Sequence, residues 1–156
     1  VRGQRHRPMS YADLTNDVLP RIPAVSALRD EGGPGGLPAT QPTRSQAAAL
    51  LAQVEAEIDG RLRRRQAGIT VPVEDPDAIA LLLSIAAIGT AAAVLRAAFP
   101  QKEGIGGEGG AASELQAQYE RMLAAIDEGL LDHLDSGTPN VSHGFKVWRH
   151  PLAGAD

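Results

Sequence analysis

Apolar side chains recur at intervals of three and four along three stretches of the chain, and Gly- and Pro-rich stretches separate them. In the first stretch, Ala47, Leu50, Leu51, Val54, Ile58 and Leu62 form a stripe that predicts a helix over about residues 43–67. Thr43 and Gln46 stand at capping-box spacing at its start, and Gly68 stands where a C-terminal cap belongs. The opposite face carries Glu55, Glu57 and Asp59, then Arg61, Arg63, Arg64 and Arg65, an order that complements the helix dipole. In the second stretch, Asp75 as N-cap and Pro76 at the first helical position open a helix that continues to about Phe99. Within residues 78–95 only Ser84, Gly89 and Thr90 interrupt the apolar run. The third stretch, with Leu115, Tyr119, Met122, Leu123, Ile126, Leu130 and Leu134, predicts a last long helix over 113–134.

Ser10 and Asp13, ahead of Leu14 and Val18, predict a short first helix that ends before Pro20 and Pro23, with Val25 and Leu28 adding a further turn. Residues 32–42 (GGPGGLPATQP) and 100–110 (PQKEGIGGEGG) read as long loops. Residues 69–74 (ITVPVE) form a short extended piece that Pro72 restricts to a loop or an edge strand. The expected fold is all-α: an antiparallel helix bundle of three long helices plus a short N-terminal helix, over residues 10–135. A basic arm (1–9) precedes it and a tail without helical period (136–156) follows. The apolar second helix is expected at the centre, packed by both others.

Composition narrows the function classes. Aromatics are 3% of a chain that is 43% hydrophobic, so the core is built from Ala, Leu, Ile and Val, which pack well between helices. With no cysteine there is no disulfide, thiolate metal site or thiol nucleophile. A net charge of -4 argues against a protein that coats nucleic acid. The arginines at positions 2, 5 and 7 are not followed by an apolar h-region, so the start does not read as a secretory signal. By length and hydropathy, residues 78–95 would also admit a membrane span; their dominance by Ala and the missing aromatic belt favour a helix surrounded by protein.

No catalytic constellation emerges. Asp132, His133 and Asp135 lack the i, i+3 or i+4 spacing of a helical metal pair. The glycines of GIGGEGG follow no strand and precede no Gly-Lys-Ser/Thr. The serines have no nucleophile-elbow context. Neither an enzyme, a metal site nor a cofactor is expected. Arg61, Arg63, Arg64 and Arg65 suit either salt bridges between subunits or contact with phosphates in a DNA channel. Phe145, Val147, Trp148 and Arg149 lie outside every predicted helix, where the aromatics either fold back on the bundle or insert into a partner.

Four segments carry a resemblance. Ser-Tyr-Ala-Asp-Leu (10–14) opens a short helix, Glu-Ala-Glu-Ile-Asp-Gly-Arg-Leu (55–62) lies in a long one, and Pro-Val-Glu-Asp-Pro (72–76) leads into an apolar one. With the final helix, which holds Tyr119, Arg121 and residues 122–126, this order resembles the head-to-tail adaptor (connector, head-completion) proteins of tailed phages over about residues 10–134. The resemblance implies a ring, usually twelvefold, stacked below the portal in the virion neck and assembled in the host cytoplasm. It implies a C-terminal extension that docks into the portal, here through Phe145, Val147, Trp148 and Arg149. It also implies a channel that passes double-stranded DNA without sequence specificity, and contact with a tail or stopper protein. The loops at 32–42 and 104–110 are longer than the family pattern requires, and the arm before Ser10 lies outside it. Two other readings stay open: a small phage membrane protein with its span at 78–95, and a helical nucleic-acid-binding module that uses the arginine cluster.

Overall fold

The computed structural model describes residues 10–31, 35–65, 71, 73, 75–100 and 108–131. It is mostly helical, with no strand among the described residues. Three long helices, α1 (Arg44–Arg65), α2 (Pro76–Ala98) and α3 (Glu108–Asp127), all pack against one another, and α2 has the most extensive contacts.

The capping chemistry explains where α1 and α2 begin. The Gln46 amide donates to Thr43 Oγ1 at 3.1 Å while the Thr43 amide donates to Gln46 Oε1 at 2.9 Å, a reciprocal pair that satisfies two otherwise unpaired donors. Asp75 accepts from the amides of Asp77 and Ala78, both at 3.0 Å, and Pro76 follows at the first helical position, as its spacing predicts. Two bonds tie the chain down ahead of α1: Thr40 Oγ1 accepts from the Arg29 amide, and the Ser45 amide donates to Asp30, holding that carboxyl below its usual range.

Burial follows the predicted stripes. Ala47, Leu51, Val54, Ile58 and Leu62 of α1 are buried, and so are twelve residues of α2, including Leu82, Ile85, Ile88, Val94 and Leu95. Residues 85–92 of α2 are all buried, which means that the middle two turns of this helix are enclosed around their whole circumference, while Pro76, Asp77, Ala80, Arg96 and Ala97 toward its ends are exposed. Small side chains make that enclosure feasible, because neighbouring helices can approach closely where alanine and glycine face them. Gly89 marks the tightest approach: a Cβ there would lie 2.7 Å from the Tyr119 ring of α3.

The N-terminal segment differs from expectation. Asp13, not Ser10, is the cap, accepting from the amides of Thr15 and Asn16. The helix it opens is a single π-type turn, Leu14–Val18, which runs into a 3-10 turn, Leu19–Arg21, that includes Pro20. Proline is tolerated there because it occupies an early position of a new turn, where its missing N–H has no partner to lose. Val25 and Leu28 add no further helix, yet both are buried, so the N-terminal segment, residues 10–31, contributes apolar side chains to the core as a strap.

Helix α3 also departs from its predicted bounds. It starts at Glu108 and takes in Gly109 and Gly110, which were assigned to the loop. It stops earlier as well, because Gly129 adopts a positive φ of 100°. The Gly129 amide donates to the Ile126 carbonyl and the Leu130 amide to the Ala125 carbonyl, the paired bonds of a Schellman cap. Past this cap the helical register is lost, so Leu130, counted in the apolar stripe, is 42% exposed while Leu131 is buried. The expected extension to residue 134, the Gly68 cap and Pro72 lie outside the described residues.

Candidate functional site

The polar face of α1 is where most side-chain chemistry gathers, and it is used inside the protein. Glu55 accepts three hydrogen bonds from the N-terminal strap: Ser10 Oγ at 2.7 Å, the Tyr11 amide at 2.7 Å and the Ala12 amide at 3.2 Å. Asp59 accepts from the Tyr11 hydroxyl at 2.7 Å, and that oxygen in turn accepts from the Val73 amide at 3.2 Å. Tyr11 thus joins the strap, α1 and the approach to α2. On another side of the helix, Glu57 accepts from the Tyr119 hydroxyl of α3 at 3.0 Å and from Arg61 at 3.3 Å, and Arg61 bridges onward to Asp127.

These carboxylates therefore differ from the solvated acidic face that their spacing suggested. Three acids, each two residues from the next, point to different neighbours because the helix turns about 100° per residue, which separates Glu55 and Asp59 from Glu57. Ion-assisted bonds of this kind each contribute about 1.5–3 kcal/mol when shielded from water. The sequence signal available for them was the presence of two tyrosines in a chain poor in aromatics, since a buried phenol needs a partner.

Both hydroxyls are held un-ionised. Burial, reinforced by the Asp59 and Glu57 carboxylates respectively, pushes the Tyr11 and Tyr119 phenols well above the ordinary tyrosine range. In the unfolded chain these groups ionise near pH 10, and in the folded chain only at higher pH. Their stabilising contribution is therefore complete below about pH 10 and is lost as pH rises above that value. Denaturant midpoints measured across alkaline pH should fall in this window, and the Tyr11→Phe/Tyr119→Phe double variant should show a shallower fall. Identical profiles would contradict the assignment.

Of the arginine cluster, Arg61 is engaged within the chain, as described. Arg63 and Arg64 are exposed in the last turn of α1, and Arg65 closes the helix beside them. Phe145, Val147, Trp148 and Arg149 lie outside the described residues, as do the histidines and the Asp132–Asp135 group. Among the described residues, no group of three or more His, Cys, Asp or Glu side chains is arranged to hold a metal ion. A shallow groove of about 480 Å³ lies between the start of α1 and the end of α2, lined by Gln41, Pro42, Gln46, Ala49, Leu50, Ala97 and Pro100. Among the described residues its walls hold no titratable group. Comparison of the chain with protein-family models, curated proteins and solved structures finds no match.

Proposed function

We propose that the chain is a non-catalytic structural subunit, a head-to-tail adaptor that forms a ring between portal and tail components of a tailed phage and lines the DNA channel. The observation that carries this reading is the enclosure of α2. Its most apolar stretch is covered by α1, α3 and the strap, which frees the outer surfaces and chain ends for assembly. The three long helices fit an antiparallel bundle: Glu57 meets Tyr119 and Arg61 meets Asp127, which sets α1 and α3 side by side in one direction with α2 returning between them. The polar side chains of α1 lock elements together instead of converging on a pocket, which suits a rigid wall segment better than an enzyme.

The tail supplies the portal anchor through Phe145, Val147, Trp148 and Arg149, of which Trp148 and Arg149 belong to the residue types that dominate interface energetics. Arg63 and Arg64, exposed at one end of α1, serve contacts between subunits or with passing DNA. One observation favours a second reading: α2 is long and apolar enough to cross a membrane. Against it, 67% of its most apolar window is buried by the protein itself.

Native mass of the purified full-length protein, alone and after mixing with portal rings, tests the proposal. The wild type should add the mass of a complete ring to the portal, and the Phe145→Ala/Trp148→Ala variant should bind at least about a hundredfold more weakly while keeping its helical circular dichroism. A portal mass unchanged by the wild-type protein would reject the adaptor role.

A further inference from the structure

We infer that copies of this chain associate head to tail, with the outer face of α1 on one copy packing against the outer face of α3 on the next. The inference rests on the ring reading and specifies the interface that the ring uses.

Among the described residues no other element covers either face, and the two are opposite in charge, with Glu120 accepting only a bond from Gln116 of its own helix at 2.9 Å. Turned away from its buried stripe, α1 exposes Ala52 and Ala56 and ends in the exposed Arg63 and Arg64. Of its acids, Glu55 and Asp59 are held by the strap, and the exposed Glu57, two turns before Arg64, is engaged by Tyr119 and Arg61. The outward side of α3 exposes Glu114 and Glu120 among alanines, with Glu128 exposed just past its C-terminal end and Arg121 as the one exposed base of the helix. Pairing α1 with a second α1 would set arginine against arginine, and pairing α3 with a second α3 would set glutamate against glutamate. Only the α1-to-α3 arrangement joins unlike charges, and such a heterologous contact closes into a ring when the rotation permits.

Level along the helices agrees with this. Within one copy the Arg61–Asp127 bridge places the C-terminal ends of α1 and α3 at one height. A neighbour generated by rotation about an axis parallel to the helices keeps that height, which brings its Glu128 toward Arg63 and Arg64. Exposed alanines on both faces let the two helix backbones approach closely enough for these rim charges to meet.

Charge reversal tests the pairing in the full-length protein. Arg63→Glu/Arg64→Glu on α1 and Glu120→Arg/Glu128→Arg on α3 should each weaken self-association, measured by sedimentation over a concentration series at low salt, by about tenfold or more. All four substitutions in one chain restore unlike charges across the α1–α3 contact and leave net charge unchanged, so association should return to within about threefold of wild type. Mixing the two double variants should likewise restore assembly. A wild type that associates but is indifferent to either reversal, or a fourfold variant that stays dissociated, would overturn this interface and leave the ring reading standing. A wild type that is monomeric throughout the series would overturn both.

Discussion

Replacement of Gly89 by valine is expected to lower the stability of the protein by about 3 kcal/mol, a large share of the roughly 5–15 kcal/mol that holds a domain folded. A Cβ at this position would stand 2.7 Å from two carbons of the Tyr119 ring, and that ring is itself only 4% exposed, so it has no free space to enter. Displacing the ring would also pull its hydroxyl from Glu57 and leave a buried phenol without its acceptor. Gly89→Ala should cost less, about 1–2 kcal/mol, because alanine gains about 1 kcal/mol of helix propensity that partly offsets the clash. The background Tyr119→Leu separates the two effects. With the ring gone, Gly89→Ala should become neutral or stabilising, since only the propensity term remains. Chemical denaturation of the four proteins measures this cycle, and an alanine cost that is the same with and without the ring would contradict the close-approach account.

Much of the helical architecture was legible in the residue pattern, and the reasons differ by element. The start of α1 was readable because Thr43 and Gln46 cap it through a reciprocal local pair, and the start of α2 because Asp75 and Pro76 act locally. The stripe Ala47, Leu51, Val54, Ile58 and Leu62 was readable because helical period alone places it on one side. One failure comes from a tertiary contact outweighing a local preference. Ser10 has the spacing of a cap, yet its hydroxyl goes to Glu55, forty-five positions away, and the cap passes to Asp13. Gly109 and Gly110 are poor helix formers that join α3 nonetheless. Val25 and Leu28 show no regular period with their neighbours, and residues 22–31 of the strap that carries them form neither helix nor strand.

The polar network was the least legible part. Glu55, Glu57, Asp59 and Arg61 look in sequence like an ordinary solvated helix face, and only the positions of Tyr11, Tyr119 and Asp127 in space turn them into clamps. The same placement thins the arginine cluster. Four basic residues in sequence suggest one phosphate-binding patch, while the structure draws Arg61 inward to Asp127 and leaves Arg63 and Arg64 at the surface.

The amides of α2 are expected to be the slowest to exchange with solvent anywhere in the chain, by at least about a thousandfold relative to an unstructured peptide, in buffer without detergent. Twelve of its side chains are buried by α1, α3 and the strap, so opening this helix requires those neighbours to leave and approaches global unfolding. If lipid, rather than the rest of the chain, provided the cover, the same segment would be unprotected or insoluble once removed from a bilayer. Hydrogen exchange read by mass spectrometry on the detergent-free protein decides between the two. Strong protection across residues 82–95 is the result this account predicts; rapid exchange there, or a protein recovered only in detergent, would contradict it.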